Sequence, residues 1–117
     1  MKNIFKLLTI SLFVFSIFNC EAQEKTTKKV EKATFKVWGN CDMCKTTIES
    51  AADVKGVKSA NWNVDSKVFT VTFNPDKISL DKIHELIAAS GYDTEKVKGD
   101  DKAYAELPDC CHYERRK

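Results

Sequence analysis

Neither sign of charge dominates this sequence: 19 Lys and Arg residues stand against 17 Asp and Glu, a formal net charge of +2 over 117 residues. The charges are interspersed rather than blocked, so the chain offers no broad phosphate-binding surface and nucleic acid is not an expected partner. Internal repeats are lacking too. No apolar run reaches the roughly 18 residues that a membrane span needs. The one at residues 7–18 follows a basic start at Lys2 and Lys6 and leads into polar residues. That pattern reads as a secretory signal over residues 1–22, with Cys20 and Ala22 forming a small-x-small cleavage site and a soluble chain starting at Gln23. A second reading takes "IFNC" as a degenerate lipoprotein box that leaves a lipid anchor on Cys20, although Phe18 and Asn19 fit such a box poorly. Both readings give an exported protein, periplasmic or envelope-anchored, with no transmembrane segment in the mature chain.

Cys20 leaves the thiol inventory either way, and Cys41, Cys44, Cys110 and Cys111 remain. An even number of cysteines in an exported chain ordinarily suggests disulfides. The spacing argues otherwise. Adjacent Cys110 and Cys111 can pair with each other only through a strained ring, and the two-residue gap between Cys41 and Cys44 is the spacing of metal and redox sites.

Residues 23–32 are charged and almost without apolar side chains, as a solvated linker is. A domain over residues 33–98 follows. Ala33, Phe35 and Val37 alternate with Thr34, Lys36 and Trp38, which predicts a half-buried strand stopped by Gly39 and Asn40. Asp42 is the expected N-cap of a helix whose stripe holds Cys44, Ile48, Ala51 and Ala52, with Gly56 as its stop. Two further alternations, Ala60-Trp62-Val64 and Phe69-Val71-Phe73, predict a hairpin turning near Asp65 and Ser66. Ser79 caps a second helix with Leu80, Ile83, Leu86 and Ile87 as its apolar stripe, ended by Gly91, and "YDTEKVK" reads as a short last strand. The order βαββαβ is the ferredoxin-like α+β arrangement, two helices on one face of a four-stranded antiparallel sheet. Residues 99–117 form a polar, Cys-containing tail outside that fold, with one helical turn expected around Tyr104 to Leu107.

Strand, Gly-x-Cys-x-x-Cys, helix puts Cys41 in an exposed loop and Cys44 in the first helical turn. Unpaired backbone N–H groups and the positive end of the helix dipole there favour thiolate over thiol. Two thiolates without hard oxygen ligands suit soft, low-coordinate ions such as Cu(I) or Hg(II), whereas closed tetrahedral Zn(II) requires further donors. Cys44, on the stripe with Ile48, is expected to be the more shielded; Cys41 should meet an incoming ion first.

At these residues the chain resembles the heavy-metal-associated domain family, which includes copper chaperones, periplasmic mercury-binding proteins and the N-terminal modules of metal-transporting P-type ATPases. "GNCDMC" carries the resemblance in Gly39, Cys41 and Cys44, "GVKSANWNV" in the segment after the first helix, and "AASGYD" at the end of the second. Asn40 and Asp42 depart from the family pattern, which has Met-Thr before the first cysteine. The resemblance implies a metal carrier rather than an enzyme, with copper first and mercury second. It also implies transfer by ligand exchange to a partner such as a P-type ATPase, and Tyr92 at the position of a residue near the metal loop. Rival readings are a thiol–disulfide oxidoreductase and an envelope lipoprotein acting as an interaction module.

Met43 reads as a helix-start side chain without a ligand role, His84 as a solvated helix position, and Trp38 and Trp62 as sheet-packing residues. The tail has two readings: a disordered end with incidental thiols, or an arm stiffened by Pro108 and docked by Tyr104 and Leu107. Such an arm would bring Cys110 or Cys111 to the metal as a third sulfur, with His112 as a lesser candidate. An alternative pairs these cysteines with Cys41 and Cys44 as disulfides when metal is absent.

Overall fold

A computed structural model describes residues 29–117. The expected signal segment, its expected cleavage site and Cys20 lie outside the described residues. Strand β1 (Glu31–Lys36) leads to helix α1 (Asp42–Ala51), the hairpin strands β2 (Val57–Trp62) and β3 (Val68–Phe73), and helix α2 (Leu80–Ala89). The sheet is antiparallel with order β1-β3-β2. Phe35 lies opposite Phe69 and Phe69 opposite Trp62, while Ala33 and Ala60 flank Val71. The alternation in the sequence therefore becomes one apolar face. Ile48 and Cys44 from α1 and Ile83 and Ile87 from α2 join Phe35, Val37, Trp62, Phe69 and Val71 in the core. Each fully buried isoleucine contributes about 2 kcal/mol.

The hairpin turns where expected, and Asn63 organises it: its side-chain oxygen accepts from the Asp65 and Ser66 N–H groups, both at 2.8 Å. Ser79 caps α2 by accepting from Lys82 N–H at 3.0 Å. Asp42 does not cap α1. The N-cap is Cys41, and no side-chain oxygen closes that turn.

The expected fourth strand is not formed: among the described residues the sheet has three strands, and residues 92–98 contribute a single antiparallel bridge between Val37 and Thr94. The reason is local. Thr94 Oγ1 accepts from the Lys96 and Val97 N–H groups, and Thr94 N–H donates to Val97 O. A tight turn thus consumes the donors that a continued ladder would need.

His84 is buried, contrary to the sequence expectation. Its ring stacks on Phe35 with centroids 3.8 Å apart, and its Nδ1 lies 2.7 Å from Thr94 Oγ1. After α2 the chain forms a short helix α3 (Asp101–Ala105), capped by Asp100, and then a single 3-10 turn at Asp109–Cys111. Helix α3 begins three residues before the expected turn because Asp100 Oδ2 accepts from Ala103 N–H. The tail is part of the core. Cys111 and Tyr113 are buried with it, and Tyr104 and Leu107 pack against it. Among the described residues no helix is long and apolar enough to cross a membrane.

Candidate metal centre

The loop between β1 and α1 is held by a buried indole. Trp62 Nε1 donates to Val37 O at 2.9 Å, and the ring lies under Gly39. A Cβ on Gly39 would stand 2.9 Å from Trp62 Cη2 and 3.3 Å from Cys44 Cβ, so this position has room for glycine alone.

Cys41 and Cys44 then face each other across the start of α1, Sγ to Sγ 3.5 Å. Cys44 is fully buried and Cys41 half-buried, the order expected from the helix stripe. Asn40, the departure from the family pattern, fastens Cys44: its side-chain oxygen accepts from the thiol at 3.1 Å. Its backbone N–H donates to the same sulfur at 3.5 Å.

The C-terminal arm brings a third sulfur. Cys111 Sγ lies 3.7 Å from Cys41 Sγ, and the Cys41, Cys44 and Cys111 sulfurs all fall within 4.8 Å of one another. With metal–sulfur bonds of about 2.3 Å, a planar three-sulfur site spaces its donors about 4.0 Å apart and a linear pair about 4.6 Å. The observed spacings match the three-sulfur site more closely. All four described cysteines are free thiols.

Cys110 is not in this trio. Its exposed thiol is turned to Met43, Sγ to Sδ 3.3 Å, and lies 3.9 Å from Cys111 Sγ. His112 is exposed as well, its ring 5.1 Å from that of Tyr104.

What seats Cys111 lies beyond it in the chain. Tyr113 donates its hydroxyl to Gly91 O at 2.7 Å and accepts from Asp93 N–H at 2.9 Å. Its ring stacks on Tyr92 with centroids 5.3 Å apart. Gly91 makes this seat feasible. It sits at φ +103°, and a Cβ there would meet Tyr104 N at 2.9 Å. Asp93, fully buried, binds the Arg115 guanidinium and the N–H groups of Gly99 and Arg116. Asp93, Tyr113 and Arg115 escaped the sequence reading. An acidic residue at the end of the domain and an arginine past the tail cysteines are too common a pair to mark a clasp.

The electrostatics separate the thiols. Partial burial acts to raise the Cys41 pKa, but the Cys44 N–H, the Cys44 and Cys111 thiols and the Met43 N–H together hold it below the ordinary thiol value. Burial pushes the Cys111 thiol up to about 12; Tyr92 acts to lower it, and the neighbouring Cys44 and Cys41 raise it further. Tyr92 is fully buried, and its hydroxyl has no hydrogen-bond partner of good geometry. Burial first, and then the facing Cys44 and Cys111 sulfurs, raise the pKa of that phenol. A neutral O–H donor therefore stands beside two thiols. A pocket of sulfur donors with one phenol and one amide, and no carboxylate or imidazole in the cluster, suits a soft monovalent or thiophilic ion.

Comparison with known proteins places most of the domain in one family. The heavy-metal-associated domain model matches residues 34–93. A copper chaperone, CopZ, of Staphylococcus epidermidis is 36% identical over 55 residues, which cover 46% of this chain and 81% of that protein. The N-terminal domain of a potential copper-translocating P-type ATPase from Bacillus subtilis, solved with Cu(I) bound, superposes with a TM-score of 0.54 at 32% identity, covering 62% of this chain and 92% of that one. Oxidized MerP from Ralstonia metallidurans does so with a TM-score of 0.54 at 28% identity, covering 56% and 94%.

Proposed function

The chain belongs to the heavy-metal-associated domain family, and from that premise we propose that it is an exported carrier, not an enzyme, that sequesters or shuttles a soft metal ion. Cu(I) is the first choice, Hg(II) the second, and Zn(II) would need a fourth donor. The observation that carries this reading is the convergence of the Cys41, Cys44 and Cys111 sulfurs on one point at the start of α1.

Within the trio, Cys41 is the sulfur with both partial exposure and a lowered pKa, so it is the first of the three to bind the ion. Cys44, anchored by Asn40, closes the pair. Cys111 supplies the third sulfur, and Tyr92 can donate to the thiolates once they carry charge. Release follows by ligand exchange: an incoming partner thiolate bonds to the ion as one protein sulfur lets go. The relatives include a chaperone and an ATPase module, so a membrane transporter with a similar thiol loop is the proposed acceptor.

Anaerobic titration of the reduced chain with Cu(I) against a chromophoric chelator tests the proposal. Tight one-to-one binding is expected, lost in the Cys41→Ser/Cys44→Ser double variant. Unchanged affinity in that variant, or catalytic turnover of a disulfide substrate by the metal-free chain, overturns it.

A further inference from the structure

Five sulfur atoms form an unbroken line from solvent to the deepest ligand. Met43 Sδ lies 3.3 Å from Cys110 Sγ, Cys110 Sγ 3.9 Å from Cys111 Sγ, Cys111 Sγ 3.7 Å from Cys41 Sγ, and Cys41 Sγ 3.5 Å from Cys44 Sγ. Its outer end is open to solvent, with Met43 52% exposed and Cys110 exposed, and its inner members are Cys111 at 1%, the half-buried Cys41 and Cys44 at 0%. Its outer end joins residues 67 positions apart in sequence, each the chain neighbour of an inner cysteine or one removed from it. An exposed thioether against an exposed thiol gains little as packing, since both could hydrate freely.

The arm also crowds direct approach. The Cys110 carbonyl stands 3.3 Å from Cys41 Sγ, beside the only member of the inner pair with any exposure. A partner's thiolate-bound ion therefore meets Cys110 and Met43 more readily than the pair behind them.

We propose that Met43 and Cys110 form an outer docking site for Cu(I), from which the ion passes along the sulfur line to Cys41, Cys44 and Cys111. This rests on the reading of the chain as a soft-metal carrier. At each step one metal–sulfur bond forms as another breaks, so the ion never leaves sulfur coordination. The copper stays Cu(I) throughout. A thiol that takes the ion releases its proton to water, and a thiol that surrenders it takes one back. Successive donors less than 4 Å apart are close enough for an ion with bonds of about 2.3 Å to be shared between neighbours at every stage.

The test uses the full reduced chain, anaerobically, with the Cu(I)–bicinchoninate complex as donor. Loading rate is followed by stopped-flow absorbance, and equilibrium affinity by competition with the same chelator. For Met43→Leu/Cys110→Ser, loading slows by about tenfold or more, because two pre-positioned donors are lost, while the affinity of the inner trio changes by less than about twofold. Met43→Leu alone, which keeps all four thiols, gives an intermediate rate. Unchanged loading in the double variant overturns the proposal. So does a loss of affinity equal to that of Cys111→Ser, since Cys110 would then be a resident ligand. Failure of the carrier reading is separate: it is Cu(I) retained by the Cys41→Ser/Cys44→Ser variant.

Discussion

Arg115 grips Asp93 from the far end of the chain, Nη2 to Oδ1 at 2.8 Å and Nε to Oδ2 at 2.9 Å. Asp93 has no exposed surface, and the Arg115 side chain keeps only 21% of its own. The pair closes a loop that begins beside Tyr92 and contains Cys111, so the fork that ends the arm also fixes where the third sulfur stands. Arg115→Ala should destabilise the chain by about 2 kcal/mol. That is below the cost of breaking a fully dry pair, because the Gly99 and Arg116 N–H groups still hold the carboxylate. Chemical denaturation measures this. X-ray absorption of the Cu(I)-loaded variant should show fewer sulfur neighbours than the parent chain.

The same clasp is sensitive to acid. Burial acts to raise the Asp93 pKa, but the Arg115 side chain and the Arg116 and Gly99 N–H groups outweigh it and hold the carboxyl below the usual range. A carboxyl depressed in the folded chain contributes stability that is complete above its unfolded pKa of about 3.9 and is lost as pH falls through the folded value. Thermal melts from pH 5 downward should show this loss, and Asp93→Asn should flatten it.

Tyr92 presents a buried hydroxyl with no good partner in the metal-free chain. Tyr92→Phe should therefore leave the metal-free melting temperature unchanged or raise it, by the equivalent of about 1 kcal/mol. The loaded chain should respond in the opposite sense, since a hydrogen bond to a metal-bound thiolate is lost. Affinity for Cu(I) should fall by about fivefold, read by chelator competition. A fall in both quantities would mean that the hydroxyl acts only through packing.

His84 gives a second pH signature, in a different window. Burial, and then Lys96, lower its pKa, with Asp81 and Glu95 opposing. The unfolded chain takes up a proton near pH 6.5 that the folded chain refuses, so stability is full above that pH and falls as the solution is acidified toward the lowered value. Melts between pH 7.5 and 5 should show this decline, and His84→Gln should remove most of it.

Gly39→Ala should destabilise the chain by about 1 to 3 kcal/mol. The added methyl would meet the Trp62 ring and Cys44 Cβ, neither of which has open space to move into. Displacement of the indole should appear as a shifted tryptophan emission band, together with weaker Cu(I) binding.

Much of this architecture can be read from residue pattern, and the misses have physical causes. The alternation of Ala33, Phe35 and Val37 and the Ser79 cap specify their elements locally, so they appear in the structure. The Cys41–Cys44 pair was legible because spacing and helix start coincide. The last strand failed because a threonine hydroxyl satisfied the backbone donors that pairing would have used, a choice that strand propensity does not register. The polarity of His84 points to solvent, but it stands four residues after Leu80 and four before Ala88, on the stripe that packs inward, and the helical spacing prevails. The seat of Cys111 depends on Tyr113 and Arg115 meeting residues 22 positions away, which no local pattern encodes.

The arm's position over the thiol loop also divides the chemistry of this chain between two stretches of different kinship. The match to the heavy-metal-associated domain stops at Asp93, whereas the third sulfur stands at Cys111 and its tether at Arg115. Grafting residues 34–93 onto another protein would transplant a two-thiol loop open to any acceptor. Grafting residues 34–117 would transplant a three-thiol pocket with Cys110 and Met43 at its mouth.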